Sequence, residues 1–269
     1  MATELLDRPG GRASFDDTGG DGVVVIAVPG MGDTRRAYRH LGPALTAAGL
    51  RLVTMDLRGM GESSVGWDDL SDAAIASDLL ALIDRLGGEP AFLVGNSLSC
   101  ASCVIAATGA PDKVAGLVLI APFARAVPLK WWQAAAFRVL LMPPWGRRAW
   151  VSHYRRNLYP GPKPPDFDAY VQALAENLGE PGRYPAFHGM AFNSHAESGE
   201  RLSRVTQPVL VIMGTADPDF PDPVAEANHM ARVMNGRVLL VEGSGHYPQV
   251  DNPEKVAPAI IDLVRRSGR

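Results

Sequence analysis

FLVGNSLSC, residues 92–100, joins an apolar, strand-like run to a Gly-Asn-Ser turn. The pattern nearly matches Gly-x-Ser-x-Gly, in which a serine sits on a sharp turn between a strand and a helix and is presented as a nucleophile. Gly95 permits the turn, Leu98 opens the following helical run, and Ser99 stands where the last glycine is usual. Serine adds only a small side chain at that tight packing point, so the turn remains feasible. Taken alone, Ser97 reads equally well as the N-cap of the helix behind it. The rest of the chain has to decide between nucleophile and cap.

Strand and helix patterns alternate on both sides of this stretch. GVVVIAVPG (residues 22–30), LRLVTMDLRG (50–59), PAFLVGN (90–96), VAGLVLIAP (114–122), PVLVIMGTAD (208–217) and GRVLLVEGSGH (236–246) are short apolar runs of strands buried on both faces. Helical periodicity lies between them. It covers residues 34–48, stopped by Gly49, then 98–108, 223–234 and 253–265. In DLSDAAIASDLLALIDRLGG (69–88), Ile75, Leu79, Leu82, Ile83 and Leu86 share one face, and Gly87-Gly88 ends the helix. The expected fold is α/β, with a mostly parallel central sheet and helices on both faces. Residues 122–204 break the alternation: they are rich in Trp and Pro, helical between the prolines and without a clear strand. The expected division is a core of residues 1–121 and 205–269 and a helical cap of residues 122–204. An insertion of this kind usually sits above the C-terminal edge of the strands, where ligands bind.

Composition limits the functional classes. Of 269 residues 46% are hydrophobic and 20% charged, enough for a large core, and a net charge of −3 gives no electrostatic signature of nucleic-acid binding. The N-terminal residues hold no apolar run of signal-peptide length, and no stretch approaches the ~18–20 residues of a membrane span. Cys100 and Cys103 lie in a small-residue helical run with no second Cys/His pair at ligand spacing, which favours buried helix residues over zinc or redox chemistry. The expected setting is a reducing, cytoplasmic one.

Acyl transfer needs a nucleophile, a base, an acid that orients the base, and donors for the oxyanion. Six histidines are available, and only His246 follows a strand, in a Gly-rich loop before the last helix. Asp217, in VIMGTADPDFPDP, lies nearest a strand end, with Asp219 and Asp222 as alternatives or as helix caps. The amide of Leu98, at the start of the helix after Ser97, and that of Met31, beside Gly30, are the candidate oxyanion donors.

Together these motifs resemble the α/β-hydrolase superfamily. The order Ser97, Asp217, His246 is the one that fold uses. PGMG stands in the place of its His-Gly oxyanion loop, and DLRGMGES (residues 56–63) looks like its Asp-x-Arg-Gly-x-Gly-x-Ser signature. GTADPDFP and GSGHYPQVDNPE look like its acid and histidine loops. Pro29 and Ser99 are the two departures. Haloalkane dehalogenases and epoxide hydrolases of the superfamily carry aspartate at the nucleophile position. Serine there implies an acyl-enzyme, and GNS in place of the commoner GHS is also seen among C–C bond hydrolases. The expected activity is hydrolysis of an ester or thioester of an apolar acyl group, with no metal or organic cofactor. The alternatives are C–C cleavage of a β-diketone-like substrate and a non-hydrolytic ligand-binding or cyclase role.

Between Arg125 and Lys163 lie eight Lys/Arg residues and no acid. A solvated face is the plain reading. The sharper expectation is that the cap receives an anionic or carrier-bound small-molecule substrate, or brushes a membrane surface.

Overall fold

A computed structural model describes residues 3–126 and 130–268, the side chain of Gln133 excepted. Eight strands form one sheet: β1 (Glu4–Arg8), β2 (Gly11–Asp17), β3 (Val24–Val28), β4 (Arg51–Met55), β5 (Ala91–Asn96), β6 (Val114–Ile120), β7 (Val209–Gly214) and β8 (Arg237–Val241). Their spatial order is β1-β2-β4-β3-β5-β6-β7-β8. β3 to β8, the six strands expected from apolar runs, pair in parallel. β1 and β2 were not expected. They form an antiparallel hairpin whose outer strand buries only Leu6, so its charged sequence gives no apolar run to read.

The helices follow in chain order: α1 (Gly42–Ala47), α2 (Asp72–Arg85), α3 (Ser99–Gly109), α4 (Trp131–Leu140), α5 (Gly146–Arg156), α6 (Phe167–Asn177), α7 (Arg183–Met190), α8 (Ala196–Arg201), α9 (Pro223–Val233), α10 (Pro248–Asp251) and α11 (Pro253–Arg266). Ser71 caps α2 by accepting from the Ala74 amide, which is why that helix starts where it does. The single helix expected over residues 34–48 is instead a 3₁₀ turn at Arg35–Tyr38 and the short α1. Pro43, which has no amide hydrogen to bond backwards, starts a fresh helix there.

Side chains alternate across the central strands and divide the core in two. Ala91 and Leu93 of β5 pack with α2 and α3 on one face, while Phe92 and Val94 pack with α1 and α11 on the other. Each of these fully buried side chains contributes about 1.5–3 kcal/mol for the larger residues, so the sheet is held from both sides.

Helices α4 to α8 lie between β6 and β7, and among the described residues this segment holds no strand. Its contacts fall on loops that leave the C-terminal ends of strands. Tyr154 of α5 reaches Asp33 after β3, Asn177 of α6 bonds Gly61 after β4, and the Leu158 carbonyl accepts from the His246 amide after β8. The insertion therefore covers the sheet edge at which the candidate site residues emerge.

The DLRGMGES stretch braces that edge. Asp56 is fully buried and accepts from the Arg35 amide at 2.6 Å, Ser14 Oγ at 2.8 Å and the Glu62 amide at 3.1 Å, besides pairing with the Arg35 guanidinium. Arg58 clamps Asp78 of α2 with two bonds of 2.6 and 2.8 Å. Replacing Asp56 by Ala leaves Arg35 only Asp16 and Glu62 as carboxylate partners and takes the carboxylate acceptor from the buried Ser14 hydroxyl and the Arg35 amide. We expect a loss of about 3 kcal/mol in urea unfolding; a loss below about 1 kcal/mol contradicts this bracing role.

Candidate active site

At Ser97 the chain reverses from β5 into α3 within three residues. Ser97 consequently adopts φ +58°, a left-handed conformation that costs a non-glycine residue on the order of 1–3 kcal/mol. Its backbone is tied on both sides to hold that shape. The Ser97 amide donates to the Ile120 carbonyl at 2.9 Å, and the Ser97 carbonyl accepts from Cys100 and Phe123 at 3.1 and 3.2 Å. Gly95 is required by closeness: a Cβ there would stand 2.9 Å from the Cys100 nitrogen and 3.0 Å from Cys103 Sγ.

Ser99, the departure from the motif, is more than a tolerated small residue. Its hydroxyl accepts from the Asn96 amide at 2.9 Å and has the Val28 and Asn96 carbonyls each at 2.9 Å as acceptors. It binds the turn to the end of β3, where the glycine of the usual motif has no such bond to make.

His246 and Asp217 meet as their loops leave β8 and β7. His246 Nδ1 lies 2.7 Å from Asp217 Oδ2, and both residues are 2% exposed. Asp219 Oδ2 lies farther away, at 3.7 Å, and Asp222 caps α9 by accepting from the Ala225 amide. Of the three carboxylates, Asp217 is thus the one hydrogen-bonded to the imidazole. Asn96 joins the serine turn to the histidine loop by donating to the His246 carbonyl at 3.3 Å. Among the described residues Ser97 Oγ has no hydrogen-bond partner, so the turn meets the histidine loop through its neighbour.

The Met31 and Leu98 amides donate to no acceptor among the described residues. Leu98 stands at the start of α3, where the helix dipole favours negative charge. Gly30 brings the Met31 loop against the serine: a Cβ on it would lie 2.9 Å from Ser97 Cβ. Trp150 and Phe187 of the insertion close over the same loop at Gly32.

A family model described as "Alpha/beta hydrolase family" matches residues 24–259. The chain belongs to the alpha/beta hydrolase family. It is 28% identical over 272 residues to the polyketide synthase ThaQ of Burkholderia thailandensis, a match covering 97% of this chain and 13% of that much longer one. It is 25% identical over 311 residues to epoxide hydrolase A of Mycobacterium tuberculosis, covering 97% and 96% of the two chains. A thermophilic esterase from Thermogutta terrifontis, solved with malate bound, aligns with a TM-score of 0.80 at 25% identity over the whole of both chains. The chain is a hydrolase, and among its described residues no helix is long and apolar enough to cross a membrane.

This alpha/beta hydrolase carries two further groups at the sheet edge that its sequence did not reveal. Asp33, straight after the Met31 loop, is fully buried and accepts from the Thr34 amide at 2.7 Å, from Tyr154 Oη at 2.8 Å and from Tyr170 Oη. Burial raises its pKa above the ordinary carboxylate value, against those hydrogen bonds. The second group is His153 of α5, whose Nε2 lies 3.2 Å from Asp219 Oδ1. Asp33 follows a glycine loop and could have been marked as a site-edge residue. His153 had no signal, because its partner stands 66 positions away.

Three carboxylates thus bear on His246. Burial lowers its affinity for a proton, but the charge and hydrogen bond of Asp217, with the charges of Asp219 and Asp33, outweigh burial and raise its pKa from 6.5 to about 9. The protonated ring is the favoured form at neutral pH, so the neutral form that can act as a base is the minor one there and grows as the pH rises towards 9. Removing one negative charge weakens that preference, so Asp219→Asn should lower the His246 midpoint. An NMR titration of the imidazole protons reads this directly, and an unmoved or rising midpoint contradicts it.

Proposed function

We propose that this alpha/beta hydrolase is a serine hydrolase that cleaves an ester or thioester of an apolar acyl group through an acyl-enzyme. The observation that carries the reading is the short Asp217–His246 contact beside a serine held in left-handed backbone at the head of a helix. Neutral His246 takes the Ser97 proton as Oγ attacks the acyl carbon. The developing oxyanion is held by the Met31 and Leu98 amides. As the tetrahedral intermediate collapses, the bond to the leaving oxygen or sulfur breaks and His246 returns the proton to it. Water then repeats the sequence on the acyl-enzyme, and Asp217 keeps the imidazole oriented and balances its charge throughout.

We also read residues 1–121 and 205–269 as the catalytic core and residues 122–204 as a cap over it, with a small-molecule substrate that is anionic or carrier-bound on its leaving side. The buried, unbridged thiols of Cys100 and Cys103 support a reducing, cytoplasmic setting. The mechanism calls on no metal or organic cofactor.

Ser97→Ala should lower kcat on a p-nitrophenyl ester by about 10³-fold or more and abolish fluorophosphonate labelling, while the protein unfolds at an unchanged urea midpoint. Retained turnover or labelling refutes the assignment.

A further inference from the structure

α5 gathers positive charge on one face. Arg147, Arg148, Arg155 and Arg156 stand at i, i+1, i+8 and i+9, so the helical period sets them together around Val151 and Ser152. With Ala175 of α6 these residues line a cavity of about 320 Å³. The charge there is poorly answered. Arg147 bonds the Ala175 carbonyl at 3.2 Å, and Arg155 pairs with the exposed Asp168 at 2.9 Å. Arg148 and Arg156 have no carboxylate partner among the described residues. The other acid of α6, Glu176, accepts a bond from Gln172. Guanidinium groups collected in a concavity without acids present the forked donors that suit phosphate oxygens.

A second, narrower cleft adjoins the first. Val151 lines both, and Gly32, the residue after Met31, lines the second. Its walls are Trp150, Tyr154 and the aliphatic side chains of Val171, Leu174 and Leu178, packed too closely to admit water. One polar group on that wall stands apart: Trp150 Nε1 is buried and has no hydrogen-bond partner among the described residues. A buried indole N–H costs free energy unless an acceptor reaches it.

A polyanion site outside, an adjoining apolar cleft holding one free donor, and at its Gly32 wall the loop whose Gly30 packs against Ser97 together describe an elongated substrate. We propose that the α5–α6 cavity binds the phosphate of an acyl-phosphopantetheine thioester, whose uncharged arm parts the side chains beyond Val151 and brings the acyl carbon past the Gly32 loop to Ser97. Trp150 Nε1 donates to an amide carbonyl of that arm. A small neutral ester has no use for four arginines, and a lipid surface has none for a buried indole donor. The assignment rests on the serine-hydrolase reading and names its substrate class. Hydrolysis replaces the thioester C–S bond with a C–O bond to Ser97 and then to water, releasing the carboxylic acid and the thiol.

The phosphopantetheine group reaches such a site either in free coenzyme A or on a carrier protein, and the experiment separates the two. Binding is measured by calorimetry on the Ser97→Ala protein with 4′-phosphopantetheine, pantetheine and coenzyme A. Turnover by the unaltered enzyme is measured with octanoyl-pantetheine, octanoyl-coenzyme A and octanoyl carrier protein. Phosphopantetheine should bind about tenfold more tightly than pantetheine, and the thioester preference should reside in KM rather than kcat. Arg148→Gln with Arg156→Gln should erase the phosphate advantage, Lys at both positions should restore part of it, and added salt should weaken it. Trp150→Phe should weaken phosphopantetheine and pantetheine alike, by about threefold to tenfold. Equal binding with and without phosphate, or a phosphate advantage that survives the double Gln variant, overturns the proposal. Turnover of p-nitrophenyl esters alongside either result leaves the serine-hydrolase reading standing. Phosphate-selective binding without hydrolysis of any ester or thioester does the reverse.

Discussion

One backbone angle governs this molecule. A parallel strand that passes directly into a helix must reverse within two or three residues, and here the reversal falls on Ser97 at φ +58°. A serine does not hold that conformation unaided. Ile120, Phe123, Cys100 and the Ser99 hydroxyl hold it from β6, from the loop beyond β6 and from α3, and the bond from Ser99 extends to β3. The parallel order that sets β3, β5 and β6 side by side is therefore what makes the turn possible. The loops after β3, β7 and β8 then surround it, because the strands of a parallel sheet all end at the same edge.

The sequence was most readable where burial leaves a periodic trace. β3 to β8 are apolar because they are covered on both faces, and α2 shows its inner face as a regular series from Ile75 to Ile83. The β1–β2 hairpin had no such trace, since a strand with one wet edge carries charged residues. Ser97, Asp217 and His246 could be picked out because each follows a strand, so chain order stands in for position. The Asp33–Tyr154–Tyr170 cluster could not be read this way. Its members come from a loop and two inserted helices, and no local spacing records that they meet.

Charge is distributed unevenly along the edge. Around His246 it is negative, from Asp217, Asp219 and the buried Asp33, which raises the imidazole's proton affinity. On the outer side of α5 it is positive, and Trp150 and Tyr154 lie between the two zones.

The bonds from Tyr154 and Tyr170 to Asp33 have a consequence for how this chain can diverge. Inserted segments that touch only one another can be exchanged wholesale between relatives. Here two of the inserted helices end in hydroxyls that complete a buried carboxylate belonging to the sheet. A transplanted segment without those tyrosines would leave buried Asp33 only the Thr34 amide, and a sheet without Asp33 would leave Tyr154 only Tyr159 and Tyr170 only Thr34. The insertion and the loop beneath it are in that sense a single inherited unit, although eighty-eight residues separate the last residue of that loop, Asp33, from residue 122, the first of the insertion.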